Sequence, residues 1–443
     1  MFDRHSWRGI QVAASLTNNN FESDTAISRS FLMHDIYRLL LNTGRTYAAF
    51  ERDRIEPLLK RLCNRKVILD PMSGYGSIMT YCAQSEHDLL AFDIECNAPS
   101  YFWQVLRHPK NTNTILNYVE LLRAKISSLP EANCLASIAD TWFSKESTAL
   151  LVNLWKLCLE VFDSLAKPSE DKEILALAFI LPFVGRLSSF VQGNVVTHVK
   201  AGGICVYKDW KNDLISYISV LTNNLQQIKV LSRRTDHKLL LGDCRTIKVP
   251  RRKFSAMITS PPYPNYRDYS TMFAPENAFV ELIKQAGLLS LDVQGKRLIG
   301  SPRVSEKDGY RKRTIEDVQS TIAKKFITDL RSVKCSKSAK YDNDIYYIPY
   351  FCNYFYDMEI AYQNISKTFS DDFEGYIVVV NNTARKKVIP VAEAIIEIWQ
   401  RLGFNAEIDP EFTRELSHVG GLNPGVKGLS ARHMEYTIKV WRR

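Results

Sequence analysis

The sequence predicts an α/β fold in which helices cover both faces of a mostly parallel sheet. Three observations predict it: short apolar runs alternate with helical patterns, a glycine-rich turn follows the first run, and an acidic residue follows the second. The final apolar segment follows another glycine-rich loop, and we expect it to be an antiparallel strand. With 443 residues, the chain can form one large decorated domain or two domains.

The first part of the predicted domain lies in residues 1–100, after a polar N-terminal arm. Residues 55–62 have the pattern of a helix, and residues 66–69 and 88–92 are short apolar runs that predict two strands. The segment 70–77 reads Asp-Pro-Met-Ser-Gly-Tyr-Gly-Ser and joins the first strand to a helical pattern. This order of strand, glycine-rich turn and helix is typical of nucleotide-binding α/β folds.

A helical insertion is predicted over residues 101–235. Residues 150–162 and 174–184 carry dense apolar positions at helical spacing, and a polar break separates them. Since apolar strands precede and follow this stretch, we expect the insertion to divide the sequence of a single sheet into two parts.

The second part of the domain is predicted over residues 236–443. Residues 238–241 and Phe254–Thr259 are apolar runs that predict the third and fourth strands. The later predicted elements are a helix at 346–368, a strand at 375–380, a helix at 391–402, and strands at 404–408 and 436–441.

The chain is basic, with a formal net charge of +10, which favours a polyanionic partner. Much of the excess lies in residues 296–340, which hold 13 Lys and Arg against 5 Asp and Glu. Such a run is often only a solvated face or loop. The alternative is that either segment 280–345 or the helical insertion reads a nucleic-acid target. The candidate phosphate contacts are Arg267, Arg311, Lys312 and Arg313.

The nine cysteines are scattered and show no spacing typical of a zinc site or a disulfide framework, so we predict neither a metal nor disulfides. The N-terminus lacks a signal-peptide pattern, and no run of eighteen apolar residues occurs. We therefore expect a cytoplasmic protein with no membrane segment.

Acidic residues follow three of the predicted strands: Asp70 the first, Asp93 the second and Asp243 the third. Asp93 ends the second strand about twenty residues after the glycines, where such folds place a ribose carboxylate, and Asp243 ends the third. Each alone is an ordinary position for an N-cap or loop acid. In segment 70–77, Gly74 and Gly76 allow the backbone to approach a ligand closely. A third glycine and a Gly-Lys-Ser/Thr sequence are both missing from this segment, which argues against a dinucleotide and ATP.

The fourth strand runs directly into Ser260-Pro261-Pro262-Tyr263. The prolines fix their own φ angles and remove two N–H donors, so the nearby carbonyls are available as acceptors. Together with the hydroxyl of Ser260 and the face of Tyr263, they suit a planar group that carries an exocyclic amine, such as a nucleobase. The structural alternative is a diproline turn that closes a core strand.

Taken together, these segments resemble the S-adenosylmethionine-dependent amino-methyltransferases of DNA, which methylate cytosine N4 or adenine N6. The resemblance implies a Rossmann-like sheet of seven strands, mostly parallel, with an antiparallel C-terminal strand. It also implies that S-adenosylmethionine binds the glycine segment, Asp93, Asp243 and an aromatic residue matched by Phe50. The implied cofactor residues are Phe50, Asp70, Pro71, Ser73, Gly74, Gly76, Ser77, Asp93 and Asp243. The implied catalytic residues are Ser260, Pro261, Pro262 and Tyr263.

A serine in the first catalytic position is similar to the cytosine-N4 branch, so we predict a site-specific DNA methyltransferase that acts on cytosine N4. Ser260 Oγ and a carbonyl of Pro261 or Pro262 would accept the amino protons, and Tyr263 would stack on the extruded base. The alternatives are an adenine-N6 DNA enzyme, an RNA base-amine enzyme and a non-catalytic nucleic-acid-binding subunit. The resemblance implies double-stranded DNA as the partner and leaves room for a companion restriction endonuclease. Cys244 is interpreted as structural.

Overall fold

The structure is a computed structural model. It describes residues 52–65, 67–74, 76–82, 87–94, 109–126, 143, 145–165, 171–187, 191–192, 195–196, 214–219, 222–223, 237–248, 253–264, 274–290, 298–300, 312–333, 343–385, 387–416 and 433–442. The predicted N-terminal arm and the glycine-rich loop before the last strand lie outside these residues.

Twelve strands are described. They are β1 (Val67–Asp70), β2 (Asp88–Asp93), β3 (Val191–Gln192), β4 (Val195–Val196), β5 (His237–Leu241), β6 (Phe254–Thr259), β7 (Phe369–Val380), β8 (Thr383–Ala384), β9 (Lys387–Val388), β10 (Asn405–Ile408), β11 (Arg414–Leu416) and β12 (His433–Trp441). Seven of them form the main sheet in the order β10-β12-β7-β6-β1-β2-β5, and the short β11 also pairs with β12. The pairs β3–β4 and β8–β9 are separate two-stranded ribbons.

The main sheet is mostly parallel. Strands β5, β2, β1, β6 and β7 pair in parallel, and β12 lies antiparallel to both β7 and β10. This confirms the predicted α/β class, the mostly parallel sheet and the antiparallel C-terminal strand. The arrangement is consistent with a Rossmann-like sheet.

Helices cover both faces of the sheet. They are α1 (Arg52–Arg61), α2 (Ser77–Cys82), α3 (Pro109–Ile126), α4 (Lys145–Leu165), α5 (Asp171–Leu187), α6 (Ala274–Gln285), α7 (Thr321–Arg331), α8 (Ile348–Ser366) and α9 (Val391–Arg401). A π-helix, Asn343–Tyr347, leads directly into α8, and residues 214–219 are also helical. None of the described helices has both the length and the apolar character that crossing a bilayer requires.

Successive residues of each strand bury their side chains on opposite faces, as the pleat requires. Ile68 and Ala256 belong to the core shared with α1 to α6, whereas Leu69 and Met257 belong to the core shared with α7 to α9. Because both faces are covered, the central strands are nearly continuous apolar runs. This is why the short apolar runs in the sequence predicted them well.

The helices α3, α4 and α5 lie in the sequence between β2 and β5, which pair with each other in the sheet. They pack on the α6 side of the sheet. For example, the Trp155 indole of α4 donates a hydrogen bond of 3.0 Å to the carbonyl of Leu288 and meets the ring of Phe279 edge-on. The inserted sequence therefore contributes to one of the two cores of the sheet.

Part of the basic segment is a packed helix. The hydroxyl of Ser320 caps α7, and the carboxylate of Glu397 accepts from the backbone N–H groups of Thr321 and Ile322 at 3.0 and 3.1 Å. On its inner face, α7 buries Ala323, Phe326, Ile327 and Leu330. Residues 321–331 are thus a structural part of the second helical layer and not a solvated loop, because their apolar residues recur at helical spacing.

Strand β7 begins at Phe369, six residues before the predicted start. The interval contains the polar Asp371 and Asp372, which hid the strand in the sequence. In the structure these carboxylates pair with Arg442 and Arg65, and the rings of Phe369 and Phe373 stack in the core. The early half of the strand therefore depends on partners that are distant in sequence.

Candidate active site at the carboxyl edge of the sheet

The sequence-predicted site residues that the structure describes lie at the carboxyl ends of neighbouring strands. After β1 the chain proceeds to β2 and β5 on one side, whereas β6 and β7 lie on the other side of β1. The strand order therefore reverses between β1 and β6. Open α/β sheets bind ligands in the crevice at such a switch point. The ends of β1 and β6 are Asp70 and Thr259, which makes the crevice between them the candidate site.

Asp70 is completely buried at the end of β1. The hydroxyl of Thr259 donates to Asp70 Oδ1 at 2.9 Å, and the N–H of Met72 donates to the same atom at 3.4 Å. Asp70 Oδ2 has no hydrogen-bond partner in the part of the chain that the structure describes. Burial raises the pKa of Asp70 to about 7, and the nearby charge of Asp93 adds to the increase. Because Thr259 directly precedes Ser260, this bond ties the two candidate segments together.

The glycine-rich turn after β1 is attached to the end of β2. The N–H of Ser73 donates to the carbonyl of Phe92 at 2.9 Å, and the N–H of Gly74 donates to Asp93 Oδ2 at 2.5 Å. Gly74 has φ +53°, and a Cβ at this position would meet nothing within 4 Å. Gly76 has φ +74°, so both glycines adopt the left-handed conformation that other residues rarely adopt. The turn thus leaves open space beside its backbone.

The remaining predicted residues of the turn are largely inaccessible. Pro71, Ser73 and Ser77 are all buried, and Ser73 Oγ has no hydrogen-bond partner among the described residues. Two buried oxygens in this region, Ser73 Oγ and Asp70 Oδ2, therefore have unused hydrogen-bonding capacity. Buried polar atoms of this kind are rare in folded proteins, so these two oxygens are candidates for contact with a bound ligand.

The carboxylate of Asp93 accepts from the glycine-rich turn, and a carboxylate offers about four acceptor positions in all. Its side chain is partly exposed, and its backbone carbonyl accepts from the N–H of Gly242 at 2.8 Å. This backbone bond places the start of the loop after β5 beside the end of β2. The ribose contact predicted for Asp93 stays a prediction.

The carboxylate of Asp243, in the loop after β5, is paired with Arg245. Arg245 donates to both of its carboxylate oxygens, with Nε at 2.9 Å from each and Nη2 at 2.6 Å from Oδ2. Arg245 Nη1 also donates to Asp357 on α8 at 2.6 Å. All three side chains are largely buried. An adenine amino group would share this carboxylate with Arg245, and the adenine contact predicted for Asp243 stays a prediction.

The Ser260 to Tyr263 segment leaves β6 and is held from the α8 side. Ser260 Oγ and the hydroxyl of Tyr263 form a hydrogen bond of 3.0 Å, and in either direction Ser260 Oγ retains an acceptor lone pair. The hydroxyl of Tyr354 on α8 donates to the carbonyl of Pro262 at 3.1 Å. Pro261 is buried, whereas Ser260, Pro262 and Tyr263 are half-buried. The backbone of this segment is therefore restrained by α8 at the edge of the crevice.

The sequence did not single out the residues that support these loops. On α8, Tyr354 holds Pro262, Asp357 holds Arg245, and Asn364 donates to the backbone carbonyls of Cys244 and Ile247 at 3.0 Å each. The signal that could have found them is the spacing of Tyr354, Asp357 and Asn364 by three and seven residues, which places them on one face of a helix.

Cys244 is buried in the core, and burial raises its pKa well above the ordinary value of a thiol. A thiol in this environment is a poor nucleophile because the reactive form is the thiolate. This agrees with its interpretation as a structural residue. Within the described ranges, no group of three or more His, Cys, Asp or Glu side chains is arranged to hold a metal ion.

The predicted nucleic-acid contacts differ in accessibility. The side chain of Lys312 is exposed. Arg313 instead lies over the ring of Tyr356 at 3.8 Å, its backbone N–H donates to Asn353, and its guanidinium is 3.9 Å from the carboxylate of Asp317. Arg313 therefore fastens its loop to α8, and the phosphate contact predicted for it stays a prediction.

Three further predicted site residues, Phe50, Arg267 and Arg311, lie outside the described residues. In comparisons with known proteins, no family model, no curated protein and no solved structure matches this chain.

Proposed function

We propose that the protein is an S-adenosylmethionine-dependent methyltransferase that modifies the exocyclic amine of a base in double-stranded DNA, with cytosine N4 as the target atom. The observation that carries this proposal is the bond from Thr259 to Asp70, which joins the diproline segment to the glycine-rich turn at the switch point of the sheet. A group that binds the turn and a base that binds Ser260 would therefore be neighbours.

The sheet supports the same proposal. Its main path has seven strands, and the last strand of the chain is antiparallel, as the resemblance to DNA amino-methyltransferases implies. Fold alone does not assign a function, because related sheets support many reactions. The weight of the proposal therefore rests on the residues at the carboxyl edge.

The residues at the glycine-rich turn fit the proposed cofactor. Asp70 Oδ2 is a buried acceptor without a partner among the described residues, which suits the ammonium of the methionine part. The open Cβ position of Gly74 leaves room for the ligand, and we assign the carboxylate of Asp93 beside it to the ribose hydroxyls. When bound, the cofactor supplies an electrophilic methyl group on a sulfonium. Arg245 donates to both carboxylate oxygens of Asp243, so we propose that Asp243 also holds the loop after β5 in place.

The chemistry assigned to the diproline segment is the orientation of a weak nucleophile. The lone pair of a base amine is delocalised into the ring, and acceptors for its two protons favour a tetrahedral nitrogen. We assign Ser260 Oγ and the carbonyl of Pro261 as these acceptors, since Tyr354 already holds the carbonyl of Pro262. Acceptors fixed in advance also stabilise the positive charge that develops on the nitrogen. Tyr263 offers a ring face for the extruded base.

The direct test is methyl transfer from tritium-labelled S-adenosylmethionine. The purified protein is incubated with duplex DNA, with RNA and without nucleic acid, and the labelled product is digested to nucleosides. Label in N4-methylcytosine of DNA supports the proposal. Label in N6-methyladenine would move the target to adenine, and label only in RNA would reject DNA as the substrate. If no label is transferred although the cofactor and DNA both bind, the chain is a non-catalytic subunit.

The role of Ser260 is tested by Ser260→Ala. We expect methyl transfer to fall by about 100-fold or more, which is the effect of losing one preorganised hydrogen-bonding group in other active sites. Cofactor affinity, measured by calorimetry, should stay unchanged. Ser255→Ala is the matched control, because Ser255 lies on the same strand but five residues before the site. A variant that loses cofactor affinity and keeps turnover would reverse the assigned roles.

A further inference from the structure

Two exposed aliphatic side chains lie on neighbouring segments at the carboxyl edge of the sheet. Ile345 of the π-helix is 66% exposed, and Val388 of the β8–β9 ribbon is 55% exposed. We call the surface formed by the π-helix, this ribbon and the last turn of α7 the edge surface. Large apolar side chains with this exposure are informative when they cluster beside a functional site.

Contacts among the three segments hold the edge surface together. The guanidinium of Arg385 lies 4.6 Å from the ring centroid of Tyr347, which joins the ribbon to the π-helix. Lys387 Nζ donates to the carbonyl of Asp329 at 2.9 Å, which joins the ribbon to α7. Asn343 Nδ2 donates to the carbonyls of Leu330 and Val333 at 2.7 and 2.8 Å. The π-helix is therefore fixed against the end of α7.

The edge surface borders the diproline segment. The π-helix continues without a break into α8, where the hydroxyl of Tyr354 contacts the carbonyl of Pro262. Ile345 precedes Tyr354 by nine residues, which is roughly 13 Å along a helix axis. The ribbon follows the carboxyl end of β7, the strand that pairs with β6. A duplex presented to Ser260 would thus meet the edge surface beside the target base.

The charge of the edge surface is positive. It carries three cations, Arg331, Arg385 and Lys387, against the two carboxylates of Asp329 and Asp344. Arg331 lies 3.5 Å from Asp344, and both of these side chains are well exposed. A surface ion pair of this kind is weak and does not prevent Arg331 from contacting a phosphate. An apolar centre with surrounding cations is complementary to the base stack and backbone of DNA.

We propose that the edge surface docks the duplex beside the target base, with Ile345 inserted into the stack that the extruded base leaves and the cations on the flanking phosphates. This inference rests on the proposed function, because it takes duplex DNA as the substrate. Aliphatic wedges of this type stabilise unstacked base steps by burying apolar surface. Extrusion of a base from a fully paired duplex costs a few kcal/mol, and the cost is least for a mismatched base. An inserted side chain lowers that cost.

The test measures the dissociation constants of the full chain for two short synthetic duplexes of the same mixed sequence, by fluorescence anisotropy. One duplex is fully paired, and the other has a central mismatched cytosine. We expect Ile345→Ala to weaken binding to the paired duplex by roughly tenfold, on the scale of burying one aliphatic side chain. Binding to the mismatched duplex should weaken much less. Leu121→Ala is the matched control, since Leu121 is an exposed aliphatic residue of α3, and it should change neither constant.

A second variant tests the phosphate contacts. Arg331→Ala should weaken binding to both duplexes alike and lower the slope of log affinity against log salt by about one. Equal losses for Ile345→Ala on both duplexes, or no loss on either, would reject the insertion. An unchanged salt slope would reject the phosphate contact. Both readouts are binding constants, so they do not depend on methyl transfer. A protein that shows these binding patterns but transfers no methyl group would support the edge surface and reject the proposed activity.

Discussion

The hydroxyl of Tyr354 offers the sharpest single perturbation of the candidate site. It donates to the carbonyl of Pro262 at 3.1 Å, and it reaches that carbonyl from a rigid buried helix. Tyr354→Phe removes this hydroxyl and leaves the ring in place. We expect the diproline segment to lose one restraint, so that Ser260 spends less time in the geometry that accepts the amino proton.

The size of the effect follows from the free energy of one hydrogen bond. A net contribution of about 0.5 to 1.5 kcal/mol is typical of a bond between neutral groups. If this whole free energy is lost in the transition state, the rate falls by roughly 2- to 12-fold, at tenfold for each ~1.4 kcal/mol. The unfolding free energy should fall by a similar amount, whereas cofactor affinity should not change.

The assay compares kcat and KM for methyl transfer to DNA, together with the urea midpoint of unfolding. Tyr362→Phe is the matched control, because Tyr362 lies on the same helix and its buried hydroxyl has no hydrogen-bond partner in the described part of the chain. Its removal should leave turnover unchanged and should not lower stability, since a polar group buried without a partner is itself unfavourable.

The reasoning fails if Tyr354→Phe has the turnover of the unmodified protein. It also fails if Tyr362→Phe loses turnover to the same extent, since a general loosening of α8 would then explain both variants. A lower kcat for Tyr354→Phe alone, with an unchanged KM for the cofactor, is the pattern expected of a positioning residue.

Two further predictions concern Asp70 and the packing of β7. Burial raises the pKa of Asp70 to about 7, above its unfolded value, so the folded chain holds a proton in the range where the unfolded chain has released it. The free energy of unfolding should therefore fall as the pH rises from about 4 through about 7. At ~1.4 kcal/mol per pKa unit, the fall amounts to as much as a few kcal/mol. The variant Asp70→Asn should not show it. Urea unfolding at several pH values measures it, and an identical pH profile in the variant would contradict it. Gly375→Ala should destabilise the sheet, because the new Cβ would lie 2.8 Å from Phe373 Cζ and 3.1 Å from Met257 Cβ. Such overpacking costs about 1 to 3 kcal/mol, and an unchanged unfolding midpoint would show that β6 and β7 can separate without penalty.

Much of the fold was predictable because the central strands are buried on both faces. Strand β6 begins and ends at the predicted residues, Phe254 and Thr259. The start of β7 was not predictable, because Asp371 and Asp372 interrupt its apolar pattern. Their partners, Arg442 and Arg65, are distant in the sequence. Local patterns report local burial, but they carry no information on ion pairs formed by the folded chain.

The sequence predicted which strand ends carry the candidate site residues, but it did not predict the hydrogen-bond partners of these residues. The chain order placed Asp70, Asp93 and Ser260 at one edge, and the structure places them there. The ion pair between Asp243 and Arg245 was not predicted, because Arg245 is oriented by Asp357, which is more than one hundred residues away in the sequence. A carboxylate at a strand tip therefore predicts position, whereas its availability depends on tertiary partners.

Helix α8 links the two halves of the candidate site. Asp357 restrains Arg245 in the loop after β5, and Tyr354, three residues earlier, restrains Pro262 in the loop after β6. The strands β5 and β6 are separated by β2 and β1, which corresponds to roughly 14 Å across the sheet. Since one rigid helix contacts both loops, their separation is set by the helix and not by two independent loops. A reaction between two bound molecules needs their separation to be fixed in this way. A change that displaces α8 as a whole should therefore impair both halves together, whereas removal of the Tyr354 hydroxyl should affect only the diproline half.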